Sequence, residues 1–169
     1  MKKYDILLDV ALKNIKFLSF SLIVCSLLVL SGCWSSSNNQ SKLIIINVLD
    51  PDYYQDCHIP GSINIPFEKF EDRMKTLNKK DFHVLYCSNF ACTAAPFAAN
   101  LLKSSGFEDV ALLPGGIVQW YQKGYSYTGP ATMEYLQEEN EPFEEEEHPG
   151  IQMLTAEALK AKMTEAKLL

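Results

Sequence analysis

The chain has no surplus of positive charge, since its 169 residues carry 15 lysines and arginines against 21 aspartates and glutamates. An acidic protein repels a phosphate backbone, so nucleic-acid binding is excluded as its main work. It also has no apolar run of spanning length at its N-terminus. The run at residues 17–30 falls short of the roughly 20 residues that a bilayer core requires of a helix. Cysteine is scarce, with five in all, and Cys57, His58, Cys87 and Cys92 together lack the usual two-pair spacing of a structural zinc site. Arginine is missing from the whole cysteine-bearing stretch at residues 87–93, which removes the planar fork that a phosphoryl group needs.

Lys2, Lys3, Lys13 and Lys16 precede the apolar run, and this pattern reads as an export signal. The run ends in Leu30-Ser31-Gly32-Cys33, which resembles the lipobox of bacterial lipoproteins. Its small residues admit the signal peptidase and Cys33 takes the diacylglyceryl group; the alternative is a signal anchor with an incidental cysteine. The resemblance implies two or three acyl chains on Cys33, and more than one chain is needed for stable anchoring. Trp34 follows in place of the aspartate of inner-membrane retention. The expected location is therefore the bacterial cell envelope, facing the periplasm or exterior, on the outer membrane where there are two. Cys25 leaves with the signal and Cys33 is modified, so Cys57, Cys87 and Cys92 remain. An odd number of thiols in an oxidising compartment points to reactive sulfur rather than to a disulfide framework.

Residues 34–42, rich in Ser, Asn and Gln, cannot bury enough apolar surface to fold and serve as a tether. Folding is expected to begin at Leu43. The run Leu43-Ile44-Ile45-Ile46 predicts a parallel strand covered on both faces, residues 83–86 and 110–113 repeat it, and Ser62-Ile63-Asn64-Ile65 suggests a fourth, short strand. Phe67, Phe70, Met74 and Leu77 share one face of a helix over 67–77. Thr93 is placed to cap a helix over 94–103, with Pro96 in its first turn and Phe97, Leu101 and Leu102 as its buried stripe. Gly106 ends it, and a short helix follows at 117–122. Strands alternating with helices give an α/β fold with a parallel sheet, whose ligands bind beyond the carboxyl ends of strands. Glutamates crowd residues 131–154, which read as a solvated linker. Thr155 then caps a final helix over 155–169, with Leu159, Met163 and Ala166 on one face, docked on its own domain or offered to a partner.

Cys87 sits where a buried strand ends, and a short loop leads from it into a helix. Backbone N–H groups converge there, and the helix end carries roughly half a positive charge. A cysteine so placed can drop from a pKa of about 8.5 into the range of about 3.5–7.5, which would make a nucleophile that needs no base.

From residue 43 to about 130 the chain resembles a rhodanese domain. The likeness rests on three segments in order: Cys57-His58-Ile59-Pro60-Gly61-Ser62-Ile63-Asn64-Ile65-Pro66, the strand, cysteine loop and helix, and Leu113-Pro114-Gly115-Gly116-Ile117-Val118-Gln119-Trp120. The resemblance implies a single α/β domain with a parallel five-stranded sheet flanked by helices. It implies that Cys87 takes sulfane sulfur from a donor, holds it as a persulfide and passes it to a thiophilic acceptor, with no metal or organic cofactor. Backbone N–H groups of Ser88, Asn89, Phe90, Ala91, Cys92 and Thr93 then cradle the anionic sulfur, and His58 braces neighbouring backbone.

The departures are as informative. Thr93 stands where cysteine-dependent phosphatases carry their arginine, so phosphatase chemistry is not expected; arsenate reduction on a related scaffold stays open. Asn47-Val48-Leu49 replaces the family's Asp-Val-Arg and loses an ion pair. Ser88 and Cys92 replace loop arginines, each worth about 1.5–3 kcal/mol to an anionic donor. Thiosulfate is thus expected to be a poor donor, and a polysulfide or protein persulfide a better one, with Phe90 giving an apolar contact. Cys92 is a possible resolving thiol, able to close a disulfide with Cys87, or a small residue filling loop space. Cys57 reads as a packed thiol. The leading expectation is a lipid-anchored sulfurtransferase; the alternatives are a non-catalytic binding module of the same family and a thiol-redox protein using Cys87 and Cys92.

Overall fold

The apolar run at Leu43 forms the first strand, β1 (Leu43–Asn47), in a computed structural model that describes residues 41–142 and 148–169. Cys33 and the residues expected to form the export signal and most of the tether lie outside these residues. With β2 (Ile63–Asn64), β3 (Phe82–Tyr86), β4 (Asp109–Leu113) and β5 (Gln152–Met153), β1 builds one five-stranded sheet in the order β2-β1-β3-β4-β5. Every pairing is parallel. Ile45 lies opposite Val84, and Val84 opposite Ala111, so consecutive residues serve opposite faces. Ile45, Val84 and Ala111 enter one core, with Trp120, Leu159 and Met163. Ile46, Leu85 and Leu112 enter the other, with Phe70, Ala98 and Leu102. Two covered faces explain why these strands read as continuous apolar runs.

Helix α1 (Pro51–Asp56) follows β1, and α2 (Phe70–Arg73) follows β2. Helix α3 (Ala94–Ser104) joins β3 to β4, α4 (Gly116–Gln122) leaves β4, and α5 (Ala156–Glu165) ends the fold. The helix expected over 67–77 is a four-residue α2 between 3₁₀ turns at Phe67–Lys69 and Met74–Thr76. Phe70 and Met74 are buried as expected, but Phe67 is exposed. On α3 the expected stripe is shifted: Leu102 is buried and Leu101 packs half-buried against the same core as expected, but Ala95, Ala98 and Ala99 face that core in place of Phe97, which is 60% exposed. The alanines form the side of the helix laid on the sheet, and Phe97 turns towards Phe67, with ring centroids 6.5 Å apart. Thr93 has helical dihedrals and makes no capping bond, whereas the Thr155 hydroxyl accepts from the Ala158 N–H at 3.2 Å. Ala166 lies past the end of α5 and is exposed.

The fifth strand comes from the segment read as linker. Within residues 131–154, Leu136, Ile151 and Leu154 are buried. The glutamate excess concealed them because these apolar residues are isolated and show no period. The same segment is tied down by Asp56, which is 5% exposed and accepts from the Thr132 N–H and hydroxyl, each at 2.8 Å, and from the Met133 N–H at 3.2 Å. Burial opposes ionisation of this carboxyl, and the bonds from Thr132 and Met133 outweigh it, leaving the pKa below the ordinary value.

His83 is wholly buried on β3, neither ring nitrogen has a hydrogen-bond partner, and its ring meets Phe107 edge-on at 5.1 Å. Burial lowers its pKa, with Asp81 opposing. The unfolded chain takes up this proton below about pH 6.5 while the folded chain resists it. Stability is therefore expected to fall as pH drops through that value towards the folded pKa, by at most about 1.4 kcal/mol per pH unit. Urea titrations at pH 7 and pH 5 test this: His83→Leu should lose less stability between the two than the unaltered protein, and an equal loss would show that His83 is not the cause.

Candidate active site

Strand β3 delivers Cys87 to the carboxyl edge of the sheet, where it is 2% exposed. The carbonyls of Cys87 and Ser88 accept from the Ile117 and Val118 N–H groups at 3.0 and 2.9 Å. The first turn of α4 thus pins the start of the loop. Gly116 allows this approach: its φ is +58°, and a Cβ there would collide with the Ser88 carbonyl oxygen. That is the physical content of the Gly-Gly pair in the third sequence segment. Trp120, one turn on, is fully buried and donates through its indole N–H to the Ser126 carbonyl at 2.8 Å.

Cys87 and Cys92 form a disulfide across the loop, with Cα atoms 6.2 Å apart. Bonded in this way, Cys87 has no thiol to ionise, so the nucleophile expected there can exist only in the reduced form. Two of the six loop N–H groups expected to cradle sulfur are committed elsewhere. The Cys92 N–H donates to the Asn89 carbonyl at 3.2 Å, and the Phe90 N–H donates to Asn140 Oδ1 at 3.0 Å. Asn140 Nδ2 in turn donates to the Gly115 carbonyl at 2.9 Å. One amide side chain therefore bridges the cysteine loop to the glycine turn. Sequence reasoning missed Asn140, because an asparagine between glutamates reads as solvent-facing.

A cavity of about 670 Å³ opens over the loop. Asn89, Phe90, Ala91 and Thr93 line it beside both cysteines, with Pro96, Phe97 and Asn100 from α3, Leu112 and Leu113 from the end of β4, Pro114 after it, and Pro142, His148 and Met153 from the C-terminal segment. Ser88 is not in the lining. Among the described residues no lysine or arginine faces this space.

His58 stands apart from the cavity. Its Nδ1 lies 2.6 Å from the Tyr54 carbonyl, its ring stacks on Tyr54 at 3.9 Å, and its backbone exchanges bonds with Thr128. Cys57 is a free, fully buried thiol on the opposite core face, and burial, with the Asp56 charge, pushes its pKa up to about 12. Among the described residues no three His, Cys, Asp or Glu side chains gather to hold a metal. The ion pair expected to be lost near Asn47 is replaced by amides: Asn64 Nδ2 donates to Asn47 Oδ1 at 3.1 Å and to the Leu49 carbonyl at 2.8 Å, and the Leu49 N–H donates to Asn47 Oδ1 at 2.9 Å. The turn after β1 is thereby held without charge.

A parallel α/β sheet presenting one cysteine at a strand end, inside a loop braced by a glycine-started helix, defines a class of cysteine-loop domains. Within it, this chain belongs to the rhodanese-like domain family, whose model matches residues 34–123. The BH2092 protein of Bacillus halodurans shares its fold, with a TM-score of 0.50 and 35% identity over 55% of this chain and 68% of that one. The mitochondrial thiosulfate sulfurtransferase RDL2 of Saccharomyces cerevisiae is 28% identical over 49% of this chain and 63% of its own. The putative sulfur carrier protein YrkF of Bacillus subtilis is 29% identical over 51% and 45%. The chain spans between 36% and 63% of the length of the curated relatives it matches.

Proposed function

We propose that this protein is a sulfurtransferase that carries sulfane sulfur on Cys87, anchored through Cys33 in the bacterial cell envelope. The observation that supports it most is the placement of Cys87 at the floor of a preformed cavity, at the carboxyl end of β3. Relatives named for thiosulfate sulfurtransfer and sulfur carriage support the same reading. In the reduced form the Cys87 thiolate attacks the outer sulfur of a donor R–S–SH, and R–S⁻ leaves with the electron pair of the broken S–S bond. An acceptor thiolate then attacks the outer sulfur of the Cys87 persulfide and regenerates the Cys87 thiolate. The remaining loop N–H groups offer fixed dipoles to that sulfur.

The lining supports one donor class over another. Each absent cation forfeits about 1.5–3 kcal/mol of charged hydrogen bonding, or about tenfold or more in rate. Organic persulfides and polysulfides therefore suit the cavity better than thiosulfate. The test uses Cys92→Ser protein, in which the loop cannot close on itself. Incubation with polysulfide should add one cyanide-releasable sulfur, thiosulfate should load at least tenfold more slowly, and the Cys87→Ser, Cys92→Ser double variant should take none. No sulfur gain from either donor, with Cys87 titrating as a free thiol, would overturn the reading. That result would favour the second reading, a thiol-redox protein, which the Cys87–Cys92 bond supports.

A further inference from the structure

We propose that Cys92 turns this site into a sulfane-sulfur reductase, which discharges the Cys87 persulfide internally as hydrosulfide; the inference rests on the persulfide reading above. The two sulfur atoms bond within the folded loop, so the Cys92 thiol has access to the inner sulfur of a Cys87 persulfide. Cys87 is 2% exposed, and an outside thiol must enter the cavity to reach it. Cys92 is already there, and an intramolecular attacker holds a large advantage in effective concentration. The loop also offers little to keep the persulfide waiting. The Phe90 N–H is held by Asn140, the Cys92 N–H is turned to Asn89, and no lysine or arginine faces the cavity among the described residues.

The step balances as Cys87–S–S⁻ plus Cys92–SH giving the Cys87–Cys92 disulfide plus HS⁻. A bond forms between the two Sγ atoms, and the bond from Cys87 Sγ to the outer sulfur breaks. The outer sulfur leaves with that electron pair and the Cys92 proton. The two cysteines are oxidised by two electrons and the sulfane sulfur is reduced to sulfide. A single turnover needs only the dithiol form of the protein; repeated turnover needs an external dithiol to reduce the disulfide by exchange. The disulfide in this structure is then the product state of the cycle. The substrate class is an organic persulfide, and a reaction that supplies electrons as a dithiol must accompany this one.

The experiment mixes fully reduced protein, freed of reductant, with one equivalent of glutathione persulfide and traps hydrosulfide over time, with a protein-free control. The unaltered protein should release about one equivalent of hydrosulfide and lose two free thiols, with peptide mass placing the new bond at Cys87 and Cys92. Cys92→Ser and Cys92→Ala should release at least tenfold less and keep the sulfur in cyanide-releasable form. If the unaltered protein holds its sulfur as stably as these variants do, the reductase inference fails and the transferase reading stands. If the Cys92 variants, folded and with a free Cys87 thiol, take up no sulfur, the persulfide reading fails and this inference with it. Hydrosulfide release without the Cys87–Cys92 bond would overturn the internal route.

Discussion

A chain ending at residue 130 is expected not to fold, although the family match ends at residue 123. Such a chain lacks Leu136, Ile151, Leu154, Leu159 and Met163, all buried against the sheet and its helices. At about 1.5–3 kcal/mol for each buried side chain, the loss is on the order of 10 kcal/mol, against a total stability of about 5–15 kcal/mol for an ordinary domain. It also strips Asp56 of its bonds from Thr132 and Met133, leaving a carboxylate without the donors that justify its burial. Circular dichroism and a urea titration of the shortened chain read this directly. A cooperative transition with native helix content would show that residues 131–169 are an ornament on a domain complete without them.

Gly116→Ala is expected to cost about 3 kcal/mol and to slow sulfur loading of the Cys92→Ser protein at least tenfold. An alanine in the left-handed region costs roughly 1–2 kcal/mol. Its Cβ also meets the Ser88 carbonyl, so α4 must retreat and the bonds from Ile117 and Val118 to Cys87 and Ser88 lengthen or break, at about 1 kcal/mol each. Stability and chemistry fall together because the same two carbonyls fix the direction in which the loop leaves β3. The urea midpoint and the loading rate are measured on one preparation. An unchanged midpoint with unchanged loading would mean that the loop takes its shape from within and needs no brace.

Four of the five strands are legible in the sequence: β2, where Ile63 is exposed, from the alternation Ser62-Ile63-Asn64-Ile65, and β1, β3 and β4 because buried parallel strands leave β-branched and leucine runs that few other elements share. The cysteine loop is legible for the same reason, its position following from the end of the run at Tyr86. What escaped notice depends on contacts between distant residues. Strand β5 has only two residues, Gln152 and Met153, both exposed, and exists because β4 offers it an edge. Asn140 acts through two backbone groups in separate loops, which no local pattern can announce. Phe97 sits at helical spacing from Leu101, yet α3 lays its alanines on the sheet and sends the ring to the cavity. Periodicity finds the stripe of a helix but not which neighbouring stripe the tertiary contact selects.

The position of β5 after the other four strands in sequence also sets an order of assembly. The ribosome has completed β1 to β4 and the cysteine loop well before Gln152 appears to pair with Ala111, and at about 5–20 residues per second that interval lasts seconds. Loops of this size close in well under a microsecond, so the two thiols meet many times while the outer edge of β4 is still bare. An uncovered parallel edge is a template for a strand from another molecule. The pairing of Gln152 and Met153 with β4 therefore closes a window during which the nascent protein is vulnerable to its own copies, and a two-residue strand is short enough to do so without presenting a long new edge in its place.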